Sequence, residues 1–226
     1  MSKTQNMETE DDYLLKLTNE PAIKESGSSW DNVVQVLPLH IFVDTETTGL
    51  GHADWHEERE DAIVEIGIAT RIDGELYSRS WLCNPGEKYF ENGRADYALS
   101  VSHIPINAIM NAARDTEVAL KVKGFLADLH HPLTNRPIPL FHSYNIAFDR
   151  PFLEKSPWNF EYKWGEDPML LAADIINPES GRWPRLEDAM HFFNINREGN
   201  AHSALSDAIA ALKVHEACLA YQESEI

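Results

Sequence analysis

Residues 39 to 50 read Leu39-His40-Ile41-Phe42-Val43-Asp44-Thr45-Glu46-Thr47-Thr48-Gly49-Leu50, an apolar, β-branched run that ends in two acids and a Thr-Thr-Gly turn. The continuous apolar start predicts a strand buried in the interior of a sheet. Two acids at the end of such a strand are out of place. Side chains alternate along a strand, so Asp44 and Glu46 project from one face, their Cα atoms roughly 6–7 Å apart, and a divalent cation fits between them. Taken alone, an Asp-x-Glu pair reads as a solvated strand end entering a turn, so a further meaning depends on what the rest of the chain supplies.

Outward from this run, Ala62 to Thr70 and Glu75 to Cys83 read as two further strands joined at Asp73-Gly74, a strong hairpin-turn signal. Pro105 suits the first turn of a helix, and Val118, Val122, Phe125, Leu126 and Leu129 recur at helical spacing after Thr116. Ile138 to Ser143 reads as another interior strand, with helical stretches near 147–155, 185–194 and 203–222. A meander of strands followed by strands alternating with helices predicts an α/β domain with a mixed sheet flanked by helices.

The chain has 226 residues, which fit one large α/β domain or two small ones and are ample for a self-supporting core. Two cysteines, Cys83 and Cys218, far apart and without a leader segment, argue against a secreted disulfide scaffold and for a reducing cytoplasm. The apolar runs fall short of a membrane span, so no membrane partner is expected. A net charge of −18 opposes salt-driven gripping of a long nucleic-acid backbone. It leaves room for a narrow site in which cations hold a few phosphates. Residues 1–36 are set apart as an acidic extension: seven acids stand against three lysines, with a Gly-Ser-Ser breaker before Trp30. Thr9 and Asp12 have capping-box spacing for a short helix there, with a frayed tail as the alternative.

Two more acids occupy unexpected positions. Phe141 to Leu153 runs from a strand into a helix, which puts Asp149 near the helix N-terminus, where an acid can also serve only as a cap or dipole partner. On the last helix Asp207 shares a stripe with Ala211, Val214 and Cys218, flanked by Ala210 and Tyr221, so a carboxylate lies on an apolar, inward face. Its relief requires protonation, a partner cation or a metal. His202 lies just before that helix, with Ser203 as its cap; alone it reads as a surface or capping histidine. Four acids from three segments, each at a strand end or helix start, can converge at the carboxyl edge of a sheet. Oxygen-only ligands favour Mg²⁺ or Mn²⁺, and two cations match the charge and suit displacement at phosphorus.

With these residues in place the sequence resembles the DEDDh-type 3′-to-5′ exonucleases, the group of the bacterial polymerase III proofreading ε subunit and RNase T. Phe42 to Leu50 resembles the first family motif, Asn145 to Leu153 the second, and His202 to Ala208 the third. Ala62 to Gly67 and Arg185 to Ile195 resemble supporting segments, and the similarity spans roughly residues 39 to 220 of a domain placed at 37–222. The resemblance implies a ribonuclease H-like five-stranded sheet, an antiparallel three-strand meander followed by parallel strands. It implies release of nucleoside 5′-monophosphates from a 3′ end. On this resemblance Asp44, Glu46 and Asp207 hold the cation that carries the nucleophilic water, and Asp44 and Asp149 support a second one near the leaving oxygen. The resemblance makes His202 the general base and lines the terminal nucleotide with Glu46, Thr47, Thr48, Leu50 and His202.

There are departures. Tyr144 stands where many members have the histidine of a His-Asn pair, and the 51–61 loop is long and acidic. His56-Glu57 begins like a zinc-protease motif that the following residues do not complete, so His52 and His56 read as loop residues and Trp55 as packing or base-stacking. The expected substrate is a single-stranded or short 3′ end, DNA ahead of RNA, with two Mg²⁺ or Mn²⁺ as cofactors. A polymerase or other protein is a candidate partner for the acidic N-terminus. The reading from another class is a non-catalytic module that binds a nucleotide end or a polymerase.

Overall fold

The protein is described from a computed structural model covering residues 38–51, 61–129 and 139–224. The anticipated Thr9 helix, the role of the acidic extension, and His52, Trp55 and His56 lie outside these residues. The fold is the anticipated one. Strands β1 (Leu39–Thr47), β2 (Ile63–Ile72) and β3 (Glu75–Leu82) form the antiparallel meander, and β4 (Pro139–His142) and β5 (Lys163–Trp164) add parallel to β1, giving the order β3-β2-β1-β4-β5. The β2–β3 hairpin turns at Asp73 (φ 51) and Gly74 (φ 85), both left-handed, as a type I′ turn requires.

Seven α-helices flank the sheet among the described residues: α1 (Asp96–Ser102), α2 (Ile106–Met110), α3 (Asp115–Leu129), α4 (Ile146–Leu153), α5 (Pro168–Ile176), α6 (Leu186–Phe192) and α7 (Ala204–Ser224). The sequence reading contained neither α1 nor α5 nor the two-residue β5. α1 has no continuous apolar stripe, since only Ser102 of its seven residues is buried, whereas α5 is capped by Asp167, whose side chain accepts from Met169 N, and packs Ala172, Leu171, Ile175 and Ile176 against α6 and α7. Pro151 is the sixth residue of α4. Pro105 directly precedes α2 with φ −66°.

β1 divides the interior by the parity of its residues. Ile41 and Val43 face a core with Val118, Val122 and Leu126 of α3 and Phe152 and Leu153 of α4. Phe42 faces the other way, against Ala208, Ile209, Ala211 and Leu212 of α7. Asp44 and Glu46 share Phe42's parity and so project beneath α7. Of the predicted Asp207 stripe, Ala210, Ala211, Val214 and Cys218 are buried, whereas Tyr221, one helical turn beyond Cys218, is 41% exposed. Among the described residues no helix is long and apolar enough to cross a membrane.

Candidate active site

The site is built where α7 meets β1 and β2. Gly67 on β2 pairs with Asp44, and a Cβ at Gly67 would overlap the backbone of Ala204 and Leu205. The missing side chain lets the N-terminus of α7 lie directly on the sheet, which lowers Asp207, one turn in, onto the carboxylates of β1. Glu65, paired with Glu46, accepts from Ala204 N at 3.2 Å and so caps the helix from the sheet. The β1–β2 register shifts between Glu46 and Thr47, an irregularity that re-aims side chains at a strand end.

The result is a trio: one carboxylate oxygen from each of Asp44, Glu46 and Asp207 lies within 4.8 Å of the others. Asp149 arrives from α4, packed on the opposite face of the sheet. It is buried and accepts from Thr45 N at 2.9 Å and Thr45 Oγ1 at 2.7 Å, standing beside Asp44 but outside the trio. α4 is itself held by Asp167, which accepts from Asn145 N and Ile146 N. Tyr144, at the departure from the family pattern, packs under α7 and donates to the Pro184 carbonyl at 2.9 Å.

His202 sits on an exposed turn with φ +56°, close enough for its charge to act on Asp207, but not within the trio. Of the predicted substrate contacts, Glu46, Thr47, Thr48 and Leu50 line a cleft of about 490 Å³ together with Tyr97 of α1 and Phe148 of α4. His202 does not line it. The threonine hydroxyls are already engaged: Thr47 Oγ1 donates to the Gly49 carbonyl, and Thr48 Oγ1 accepts from Ala62 N while pointing at Asp61. Asp61 also accepts from Gly51 N at 2.9 Å, so it holds the turn after β1 closed.

Sequence reasoning missed Arg197. Its guanidinium donates to Asp207 and, at 2.6 Å, to Glu187, and it supplies the partner cation that the inward Asp207 needed. The signal was faint, since an arginine in an irregular segment ten residues upstream has no periodicity to follow. Burial raises Asp207 in spite of Arg197. Burial first, then Asp149, Asp207, Glu46 and Glu65, pushes Asp44 well above the usual carboxylate range. Burial, then Asp207, Glu65 and Asp149, pushes Glu46 up to about 8. Clustered, half-buried carboxylates that resist ionising are the donor set of a hard divalent cation, and these residues fit one.

The same shifts predict a pH dependence. An acid whose pKa rises on folding stabilises the fold fully below its unfolded value and loses that contribution as pH climbs through the folded value. For Glu46 the window runs from 4.5 to about 8. In chelator, Tm is therefore expected to fall between those pH values and to recover when a divalent cation is added. A Tm that climbs across that interval in chelator would contradict a repelling cluster.

The pattern of the exonuclease family RNase T matches residues 41–215, and its span carries Asp44, Glu46, Asp149, His202 and Asp207. The chain belongs to the RNase T exonuclease family. No curated protein matches this exonuclease in sequence. Among solved structures, it resembles the nuclease domain of 3′hExo, a DEDDh family member, bound to rAMP, at 15% identity over 84% of this chain and 94% of that one, TM-score 0.58. A 3′-exonuclease in 3′-end-specific recognition of a histone mRNA stem-loop matches at 13% identity over 84% of both chains, TM-score 0.62. S. pombe Pop2p in its Mg²⁺- and Mn²⁺-bound form matches at 14% identity over 78% of this chain and 81% of that one, TM-score 0.51. At such identities the likeness is one of fold. The exonuclease shares their mixed five-stranded sheet flanked by helices.

Proposed function

We propose that this exonuclease works in the 3′-to-5′ direction on single-stranded or short nucleic-acid ends, DNA ahead of RNA, and releases nucleoside 5′-monophosphates. The observation that carries the reading is the meeting of Asp44, Glu46 and Asp207 within 4.8 Å, beside a cleft floored by the strand-end turn. Asp44, Glu46, Asp149 and Asp207 would hold two Mg²⁺, with Mn²⁺ as substitute, and the cations would supply charge stabilisation at the phosphorus under attack. In the cleft, Leu50 (66% exposed) and Tyr97 (77% exposed) offer apolar and aromatic surface to the terminal base, and Phe148 closes the wall. With the Thr47 and Thr48 hydroxyls engaged in the turn, this segment would meet the terminal sugar through its backbone.

His202 is the proposed general base. A neutral imidazole nitrogen can take a proton from water, and an exposed turn next to Asp207 can deliver the imidazole to the attacking water. His202→Ala should slow turnover by about 10²–10⁴-fold while leaving the cation-induced rise in Tm intact. Unchanged turnover would remove it from the mechanism.

The Thr-Glu-Thr-Thr-Gly form at 45–49 and the His-x-Ala-Leu-x-Asp form at 202–207 favour DNA. The exoribonuclease reading is favoured by the solved relatives that carry rAMP or recognise an mRNA stem-loop. Digestion of 5′-labelled, 3′-tailed DNA and RNA oligomers in Mg²⁺, Mn²⁺ or chelator separates the two by relative rate. Absence of metal-dependent shortening of either polymer would sink the proposal in favour of a binding module. Residues 1–36 are proposed as a separate acidic segment preceding a catalytic domain at 37–222, and as a dock for a basic surface of a polymerase or other protein. With both cysteines free and buried, a reducing cytoplasm is the proposed compartment.

A further inference from the structure

Beneath α7, one layer along the sheet from the carboxylates, three histidines meet. His40 shares β1's inward parity with Phe42 and Asp44; His142 pairs with Phe42 from β4; His215 lies two helical turns beyond Asp207 on α7. One ring nitrogen from each lies within 4.8 Å of the others. The rings are mutually close, with centroids 5.0 Å apart for His40–His142, 4.8 Å for His142–His215 and 5.6 Å for His40–His215.

Two independent details show how these nitrogens are presented. His142 Nδ1 lies 2.8 Å from the Glu166 carbonyl, which can only accept, so Nδ1 carries the proton and Nε2 presents a lone pair to the other two rings. An imidazole oriented through its far N–H by a backbone carbonyl is the usual arrangement of a metal-ligating histidine. His215 is 4% exposed, and its Nε2 is buried with no hydrogen-bond partner among the described residues. Such an atom is costly to leave unpaired. Gly165 leaves room for the His142 ring, since a Cβ there would overlap it.

We propose that His40, His142 and His215 form a second metal site, chemically distinct from the carboxylate cluster, that takes Zn²⁺. Ligands about 2.0–2.1 Å from a tetrahedral ion stand about 3.3 Å from one another. That lies between the 2.9 Å now separating His40 Nδ1 from His142 Nε2 and the 4.8 Å outer bound of the trio. Three imidazoles select zinc over magnesium, as the all-oxygen cluster selects the reverse. Burial holds His142 and His215 down at about 4, so both present neutral nitrogens at pH 7. His40, unlike the buried His142 and His215, is only half-buried, so it is the side of the trio nearest solvent. The ion would tie β1, β4 and α7 together, the elements that carry or lead into Asp44, Asp149 and Asp207, so it would brace the active site from below.

The test uses the untagged full chain, stripped with chelator and dialysed into excess Mg²⁺ so that the carboxylates are served. Zn²⁺ is titrated by calorimetry with metal content by mass spectrometry, Tm is read with and without Zn²⁺, and Co²⁺ is added as a visible-absorbing probe. The expected result is one Zn²⁺ per chain, a raised Tm, and the ligand-field bands of four-coordinate Co²⁺. Asp207→Asn should leave this binding intact. His40→Gln and His215→Gln should weaken it by more than the roughly 10–100-fold typical of losing a mere supporting residue. His40→Gln, at the half-buried position, carries the test if His215→Gln fails to fold. No zinc uptake in Mg²⁺, uptake abolished by Asp207→Asn or by His52→Ala/His56→Ala, or full uptake in His40→Gln would each overturn the site. These readouts do not depend on nuclease activity, so a failure here leaves the exonuclease reading standing, and the reverse.

Discussion

Asp207→Ala is expected to stop nucleotide release, by about 10³-fold or more in kcat, while the protein stays folded. If the three carboxylates hold a cation as proposed, losing one of them would remove several kcal/mol of stabilisation at the reacting phosphorus, and each 1.4 kcal/mol or so is a factor of about ten in rate. The fold should tolerate the change for the reason that makes the site reactive. Burial raises Asp207, and its charge in turn raises Asp44 and Glu46, so truncation relieves repulsion in the metal-free protein. Arg197 keeps Glu187 as a partner, at 2.6 Å. Thermal unfolding should then show a chelator-state Tm that is unchanged or higher, and a smaller rise on adding Mg²⁺. Near-normal digestion of labelled oligomers by the variant would refute the site assignment.

Gly67→Ala should do the opposite, damaging fold and turnover together. The added methyl meets the backbone of Ala204 and Leu205, which cannot swing aside as the end of a side chain could. Overpacking of this kind costs about 1–3 kcal/mol, which for a domain of this size lowers Tm by roughly 2–4 °C per kcal/mol. Relief requires the start of α7 to lift from β2, which draws Asp207 away from Asp44 and Glu46 and loosens the Glu65 cap on Ala204. Turnover at saturating Mg²⁺ should therefore fall well beyond what the lost stability explains. A variant with wild-type Tm and rate would mean that the close approach of α7 to the sheet does not position the site.

The two variants mark different kinds of information in the chain. Asp207 stood out because an acid on an apolar helical stripe violates a local pattern, and violations of this kind are visible at a spacing of a few residues. The same holds for Asp44 and Glu46 at the end of an apolar strand, and the Asp73-Gly74 turn was legible because a type I′ turn needs two left-handed residues. The acids were readable one by one. Their meeting was an inference from order and topology that the folded trio now supports in geometry.

What the sequence determined by itself was the set of elements with strong periodicity or turn chemistry, the mixed α/β class, and the chemically conspicuous acids, because each is encoded in neighbouring residues. What only the tertiary structure decided was everything that depends on residues far apart. Arg197 answers Asp207 from an irregular segment, and Glu65 caps a helix 139 residues downstream. Thr47 and Thr48 turn out to be committed to their own turn. His40, His142 and His215, each unremarkable where it stands, face one another only because β1 pairs with β4 in one register and α7 crosses both. Local patterns record the free energy of burying one face of one element, whereas long-range partnerships are fixed by packing between elements, which no short stretch of chain contains.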